Sequence, residues 1–163
     1  MDEMSMLELA QKVLDKNPNN VDMLLLLSDS WSEQQKELDK SEAYAKKALE
    51  QLGQAKKPDN VSADQWQQQV NLQKGLADSS LGQIYVIRGK NAAAVDAFKQ
   101  ADPLLKSNPV LYGRNLYRLG FTLAKMQRIP EAKVILNEAI KVNSPYRALA
   151  QQTLDKISNP ARR

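Results

Sequence analysis

A short string occurs twice in this sequence and sets the length of the unit from which the chain is built. Residues 81–85 (LGQIY) return as residues 119–123 (LGFTL), so Gly82 and Gly120 stand 38 positions apart. Small and large apolar residues follow both copies at matching distances. Repetition at a period of roughly 20–50 residues is typical of stacked helical hairpins. The repeat therefore predicts an all-α chain.

The composition leaves few groups for catalysis. The 163 residues include six Gly and seven Pro but no Cys and no His. Without these two residue types the chain lacks disulfides, thiolate metal sites and the commonest nucleophiles and general bases. We therefore expect a non-enzymatic protein with no cofactor and no metal.

Hydrophobicity and charge limit the location and the partners. No run of about 18 apolar residues occurs, so no membrane span is expected. Residues 1–9 carry three acidic residues and no basic one, unlike a secretory signal. We expect a soluble chain, cytoplasmic, or periplasmic if an upstream signal was removed.

The net charge is distributed unevenly along the chain. Residues 1–60 carry a net charge of −4 and residues 61–163 carry +8. This asymmetry favours an acidic partner or head-to-tail self-association, unless the charges form an ordinary solvated surface.

Apolar spacing and chain breakers predict about seven or eight helices in one domain spanning residues 1–163. Ser62 and Gln65 fit a capping box that starts a long helix of roughly 40 Å, and Pro109 fits the first position of a later helix. The predicted units are residues 1–18 (second helix of a truncated repeat), 21–53 (a repeat), 62–106 (a repeat with an N-terminally extended first helix), 109–143 (a repeat) and 145–158 (a capping helix).

The spacing of small and large residues resembles the tetratricopeptide repeat family. The positions that carry the resemblance are Leu81, Gly82, Tyr85, Gly89, Ala94, Phe98 and Ala101; then Leu116, Leu119, Gly120, Leu123, Ala132, Leu136 and Ala139; and, in a degenerate first copy, Leu24, Leu27, Ser28, Trp31, Ser41, Ala45 and Ala48. The resemblance implies a right-handed α-solenoid of antiparallel helix hairpins. Packing alone explains these positions, because small residues allow two helices to approach closely.

In this family the first helices of successive hairpins line a concave groove that commonly receives a peptide segment of another protein. Arg114 with Arg118 and Tyr117 with Phe121 are i, i+4 pairs on one such helix, a combination typical of binding hot spots. We therefore expect an acidic peptide to bind there, unless the two arginines are solvated or paired with acidic neighbours. Transferred by position, the peptide-binding residues are Gln83, Ile87, Arg114, Tyr117, Arg118, Phe121 and Lys125.

Other functions have weaker support in the sequence. A structural protein that self-assembles end to end is the main alternative, given the uneven charge. Nucleic-acid binding is not expected, because no base-stacking module or basic run occurs. Asp22, Asp29 and Glu33 suit a hard cation, although carboxylates at helical spacing usually form a solvated face. A complete carboxylate clamp is not expected, since Leu25, Asp29 and Ser80 stand where the family uses Lys and Asn.

Overall fold

A computed structural model describes residues 2–159, and all regular secondary structure within that range is helical. Met1 and residues 160–163 lie outside the described residues, so the two ends of the predicted domain 1–163 are not described. The predicted all-α class is confirmed. The helices are α1 (Glu3–Lys16), α2 (Val21–Gln34), α3 (Leu38–Gln54), α4 (Ala63–Ile87), α5 (Asn91–Ala101), α6 (Pro109–Lys125), α7 (Ile129–Lys141) and α8 (Arg147–Ser158), with a 3-10 helix at Asp102–Leu104 after α5.

Local capping explains where several helices begin. The Ser62 hydroxyl accepts a hydrogen bond from the Gln65 backbone N–H at 3.1 Å, and the Gln65 side chain accepts one from the Ser62 N–H, which is the predicted capping box. The helix that follows, α4, has 25 residues and is about 38 Å long. Asn108 caps α6 by accepting from the Leu111 N–H at 3.1 Å, with Pro109 at the first turn as predicted.

The start of the last helix differs from the prediction. Helix α8 begins at Arg147 rather than at position 145. The Ser144 hydroxyl accepts a hydrogen bond from the Tyr146 N–H at 3.2 Å, and the Arg147 N–H donates to the Ser144 carbonyl at 3.3 Å. These bonds close a turn over the three residues before the helix, because a serine side chain that bonds the nearby backbone competes with helix formation.

The two repeated glycines lie where neighbouring helices approach most closely. A Cβ added at Gly82 would lie 2.5 Å from Phe98 Cε1, and one at Gly120 would lie 2.6 Å from Leu136 Cδ2. Helices α4 with α5 and α6 with α7 thus meet through the same small-against-large contact. Because both large side chains are fully buried, there is little room for them to move aside.

A serine pair replaces the glycine contact between α2 and α3. The Ser28 hydroxyl donates to the Ser41 carbonyl at 2.7 Å, and the Ser41 hydroxyl donates to the Ser28 carbonyl at 2.6 Å. Both side chains are fully buried, and the reciprocal bonds satisfy hydroxyls that would otherwise be costly to bury. The degenerate first copy of the repeat therefore keeps a close helix contact by a different chemistry.

The even-numbered helices form a continuous layer. Each helix packs against the next one along the chain, and α2 also contacts α4, α4 contacts α6, and α6 contacts α8. The backbones of α3, α5 and α7 do not approach one another within residues 2–159, although Lys99 of α5 forms an ion pair with Glu131 of α7 at 3.7 Å. Buried apolar residues form one core among α1–α4 and a second among α5–α8. None of the described helices is long and apolar enough to cross a membrane.

Candidate functional site

A cluster of four charged side chains joins α6 to α2 across the layer of even-numbered helices. Arg114 donates to both carboxylate oxygens of Asp29, from Nη2 at 2.7 Å and from Nη1 at 3.2 Å. A single oxygen of Glu33, Oε1, accepts from Arg114 Nη1 at 2.9 Å and from Arg118 Nη2 at 2.9 Å. We call Asp29, Glu33, Arg114 and Arg118 the ion cluster.

The two arginines are almost equally buried, but their pKa values are shifted in opposite directions. The Arg114 side chain is 7% exposed and that of Arg118 is 11% exposed. Burial alone would lower the pKa of Arg114, but the carboxylates of Asp29 and Glu33 outweigh it and raise that pKa. Burial and the neighbouring Arg114 charge lower the pKa of Arg118 to about 10. The positive charge of Arg118 is therefore the less well compensated of the two.

Some donors of the ion cluster have no acceptor. Arg114 Nε and Arg118 Nη1 are buried and have no hydrogen-bond partner among the described residues. Glu33 is the most exposed member, at 42%, and uses only one of its carboxylate oxygens in these contacts. Because an unsatisfied buried donor is costly, Arg114 Nε and Arg118 Nη1 each lack a hydrogen bond that their burial calls for.

Both arginines have acidic partners within the protein. Pairing with acidic neighbours was one of the alternatives that the sequence left open for Arg114 and Arg118. Two of the three carboxylates considered as cation ligands, Asp29 and Glu33, are occupied by this pairing. The third, Asp22, accepts a hydrogen bond from Gln73 at 2.8 Å, and no metal-binding group of three ligands occurs within residues 2–159.

A cleft of about 220 Å³ between α4 and α6 gathers four of the seven predicted peptide-binding residues. The Tyr117 and Phe121 rings on its α6 side have centroids 6.0 Å apart, and Tyr117 also stacks on Tyr146 at 6.1 Å. Aromatic neighbours of this kind hold one another in place. The residues that line this α4–α6 cleft are Gln83, Val86, Tyr117, Arg118, Phe121 and Thr122.

The other three predicted residues lie outside the α4–α6 cleft. Arg114 is one turn of α6 away and faces Asp29 of α2. Ile87, half-buried in the last turn of α4, is not part of its lining. Lys125 is exposed one turn beyond Phe121 and lines a second cleft, between α6 and α8. Phe121 lines both clefts, so these two clefts share a wall.

Sequence reasoning missed the partners of the arginines and part of the cleft wall. Asp29 and Glu33 are four positions apart on α2, just as Arg114 and Arg118 are on α6. Two opposite-charge pairs with the same helical spacing were a signal that the two helices face each other. Val86 and Thr122 carry no comparable signal, since apolar and small polar residues occur on every face of these helices.

Two roomier clefts flank the N-terminal part of α4. One, of about 340 Å³, is shared with the 3-10 helix and residues 106–107, and the other, of about 460 Å³, is shared with α2. Glutamine and asparagine side chains contribute three of the eight lining residues of the first cleft and four of the six of the second. Neither includes an unpartnered buried side chain, so the α4–α6 cleft is the better candidate site.

Comparison with known proteins adds no family to this description. No protein-family model matches the chain, and no curated protein matches it significantly. The resemblance to tetratricopeptide repeats therefore stays a prediction made from the residues named above. The function has to be inferred from the site itself.

Proposed function

We propose that this protein is a non-enzymatic interaction scaffold whose helices form an α-solenoid of antiparallel hairpins. Supporting this, the contact of Gly82 with Phe98 is repeated 38 residues later by Gly120 with Leu136. Equivalent contacts at a constant period are what stacked hairpins require. The layer of α2, α4, α6 and α8 then corresponds to the groove-lining helices of a tetratricopeptide-like array.

The partner is a peptide segment of another protein that carries an acidic side chain. The observation on which this rests is Arg118, which lines the α4–α6 cleft and has a buried Nη1 group without an acceptor. A carboxylate is the natural acceptor for a guanidinium group, because the charge-assisted bond is short and strong. Tyr117 and Phe121 beside it supply aromatic contact area of the kind found in binding hot spots.

The two arginines have separate roles in this proposal. Arg114 is a structural residue, because Asp29 holds it through two hydrogen bonds. Arg118 is the binding residue, and Glu33 stands in for the partner's carboxylate while the groove is empty. The less compensated charge of Arg118 agrees with this division.

Peptides selected from a displayed random library at low ionic strength test the proposal. We expect enrichment of Asp and Glu. Arg118→Gln should weaken binding of a selected acidic peptide by roughly 30-fold, equivalent to about 2 kcal/mol for a desolvated charged contact. Arg118→Lys should recover part of the loss, because it restores the charge without the fork. Arg128→Gln, at an exposed arginine paired with Glu131, is the matched control.

Glu33→Gln gives the sharper outcome, because the proposal and a purely structural role predict opposite signs. Removing the competing carboxylate should strengthen binding of the acidic peptide severalfold, even though it removes an ion pair from the protein. A selected library without acidic bias, or an acidic peptide that binds Arg118→Gln and wild type equally, would contradict the proposal.

End-to-end self-association is a second candidate, favoured by a specific surface. Helix α1 exposes Met4, Met6 and Leu9, at 71%, 42% and 51%, beside the acidic residues of its first turns. An apolar patch with charges of one sign suits a complementary protein surface. Light scattering over a concentration series separates the candidates: self-association predicts a mass that rises with concentration and falls in Leu9→Glu, and a scaffold for other proteins predicts a constant monomer mass.

A further inference from the structure

We propose that the groove continues past Phe121 into the cleft between α6 and α8, and that this second cleft binds an apolar side chain of the same acidic segment. The inference rests on the proposed function, since it adds a second subsite to the proposed peptide site. It assigns to the partner a short pattern: an acidic residue followed or preceded, a few positions away, by a large apolar residue.

The α6–α8 cleft has the size and the surface for one apolar side chain. Its volume is about 240 Å³, which is ample for a leucine or phenylalanine side chain. Phe121, 41% exposed, forms one wall, and Ala124 and Ile157 contribute further apolar surface. The full lining is Phe121, Ala124, Lys125, Gln127, Thr153, Lys156 and Ile157.

The charge of Lys125 and the shared wall at Phe121 indicate which kind of segment the α6–α8 cleft binds. Lys125 is exposed at the rim and has no ion pair within residues 2–159, so a segment with negative charge near its apolar residue is favoured over a basic one. Phe121 is a wall of both clefts, so an extended chain that leaves the α4–α6 cleft enters the α6–α8 cleft directly. The same segment therefore suits both.

Helix geometry sets the distance between the two anchoring side chains. Arg118 and Lys125 are separated by seven positions of α6, or roughly 10 Å along the axis. A peptide in the extended polyproline II conformation, with three residues per turn and a rise of about 3.1 Å per residue, covers that distance with about three residues and places both side chains on the same face. The acidic and apolar side chains of the partner should accordingly lie about three positions apart.

Four synthetic peptides test this spacing by fluorescence anisotropy against the full chain. One carries Glu and Leu three positions apart, the second has Ser for Leu, the third has Gln for Glu, and the fourth has the Glu and Leu adjacent. We expect the first to bind at least tenfold more tightly than each of the others, since burial of a leucine side chain contributes about that factor.

Substitutions at one position in the wall of the α6–α8 cleft assign the effect to it. Thr153→Gln fills the cleft without a charge and should reduce the advantage of Leu over Ser to less than about threefold. Thr153→Ala, the matched control, leaves the cleft open and should keep it. Far-UV circular dichroism checks that both variants remain helical.

The outcomes separate this inference from the proposed function. If the Glu-containing peptides bind through Arg118 but Leu, Ser and Thr153→Gln make no difference, the second subsite is refuted and the proposed function stands. If Glu and Gln peptides bind alike, the proposed function fails and the inference fails with it. A cleft that is instead filled by a second copy of the chain, seen as a dimer that Thr153→Gln dissociates, also overturns the inference.

Discussion

Two arginine clusters join helices that are distant in sequence, and they differ chiefly in burial. On the even-numbered layer, Arg114 pairs with Asp29 at 2.7 Å and its side chain is 7% exposed. At the end of α4, Arg88 pairs with Asp39 at 2.5 Å and with Glu42 at 3.2 Å, but Asp39 is fully open to solvent, at 99%. The distances alone would suggest that the two clusters are equally strong.

Burial makes the two clusters different in energy and in use. Water screens the Arg88 contacts and solvates whatever they leave unpaired, so such pairs contribute from almost nothing to about 1 kcal/mol. In the ion cluster the two arginines have little access to water, so their charges depend on the acceptors that neighbouring residues supply. A buried donor of the ion cluster that lacks an acceptor, such as Arg118 Nη1, is not solvated, so the proposed partner would gain free energy by supplying that acceptor. A polar group beside Arg88 that lacks a protein partner can instead form a hydrogen bond with water.

The largest difference should appear when one carboxylate of the ion cluster is removed. Asp29→Ala leaves Arg114 buried with only Glu33, and it also removes the acceptor of the Ser80 hydroxyl. We expect the free energy of unfolding to fall by about 3 kcal/mol, because breaking a buried pair strands a charge. Urea denaturation followed by circular dichroism measures it.

Asp22→Ala is the matched control for that experiment. Asp22 lies on the same helix and is exposed, and its single described contact is a hydrogen bond from Gln73. The control should change the free energy of unfolding by less than about 0.5 kcal/mol. Equal effects of the two substitutions would mean that burial does not distinguish the ion cluster from an ordinary surface charge.

Local features of the fold were predictable from sequence because their causes are local. The capping box at Ser62 and the proline at position 109 act within one helical turn, and both are found as expected. The glycine contacts were predictable for another reason: the same spacing occurs twice, and a repeated small residue implies a repeated close approach. The start of α8 was missed because the turn bonds of Ser144 compete with the helix that Pro145 suggested.

The site was predictable only in part, because it depends on contacts between distant residues. Four of the seven predicted residues line the α4–α6 cleft, since their positions follow from the register of α4 and α6. The pairing of Asp29 with Arg114 bridges 85 residues, and the matching i, i+4 spacing of the acidic and basic pairs indicates that the two helix faces are compatible without establishing that they meet. Burial of the arginines follows from that pairing, so it was equally out of reach.

A half-buried carboxyl that has no ion pair within residues 2–159 extends the comparison to an intermediate case. Burial raises the pKa of Asp78 in α4 to about 6, against the opposing charge of Lys74 one turn away. The folded state then binds the proton more tightly than the unfolded state does. The resulting penalty is absent below about pH 4, grows as the pH rises, and is complete above about pH 6.

Removing that carboxyl should stabilise the protein at neutral pH. Asp78→Asn is expected to raise the free energy of unfolding by about 1 kcal/mol at pH 7.5, after allowance for solvent screening of a group that is only partly buried. At pH 3.5 the variant and the wild type should unfold alike. Asp59→Asn, in the exposed loop before α4, controls for the change in net charge. A gain that is the same at both pH values would point to packing rather than to ionisation.

The smallest effect belongs to the Arg88 cluster, in which Asp39 is open to solvent and the Arg88 and Glu42 side chains are 24% and 23% exposed. Arg88→Met removes both the Asp39 and the Glu42 contacts while keeping an unbranched side chain, and it should lower the free energy of unfolding by about 0.5 kcal/mol at low ionic strength. Because those contacts are screened, the difference should vanish near 1 M salt, where the Debye length is about 3 Å. The loss caused by Asp29→Ala should persist in the same salt, since the Arg114–Asp29 pair is largely buried, with side chains 7% and 22% exposed. Urea denaturation of the two variants at low and high salt gives this result directly: a salt-resistant loss in Arg88→Met would show that the end of α4 is as shielded from water as the layer of even-numbered helices.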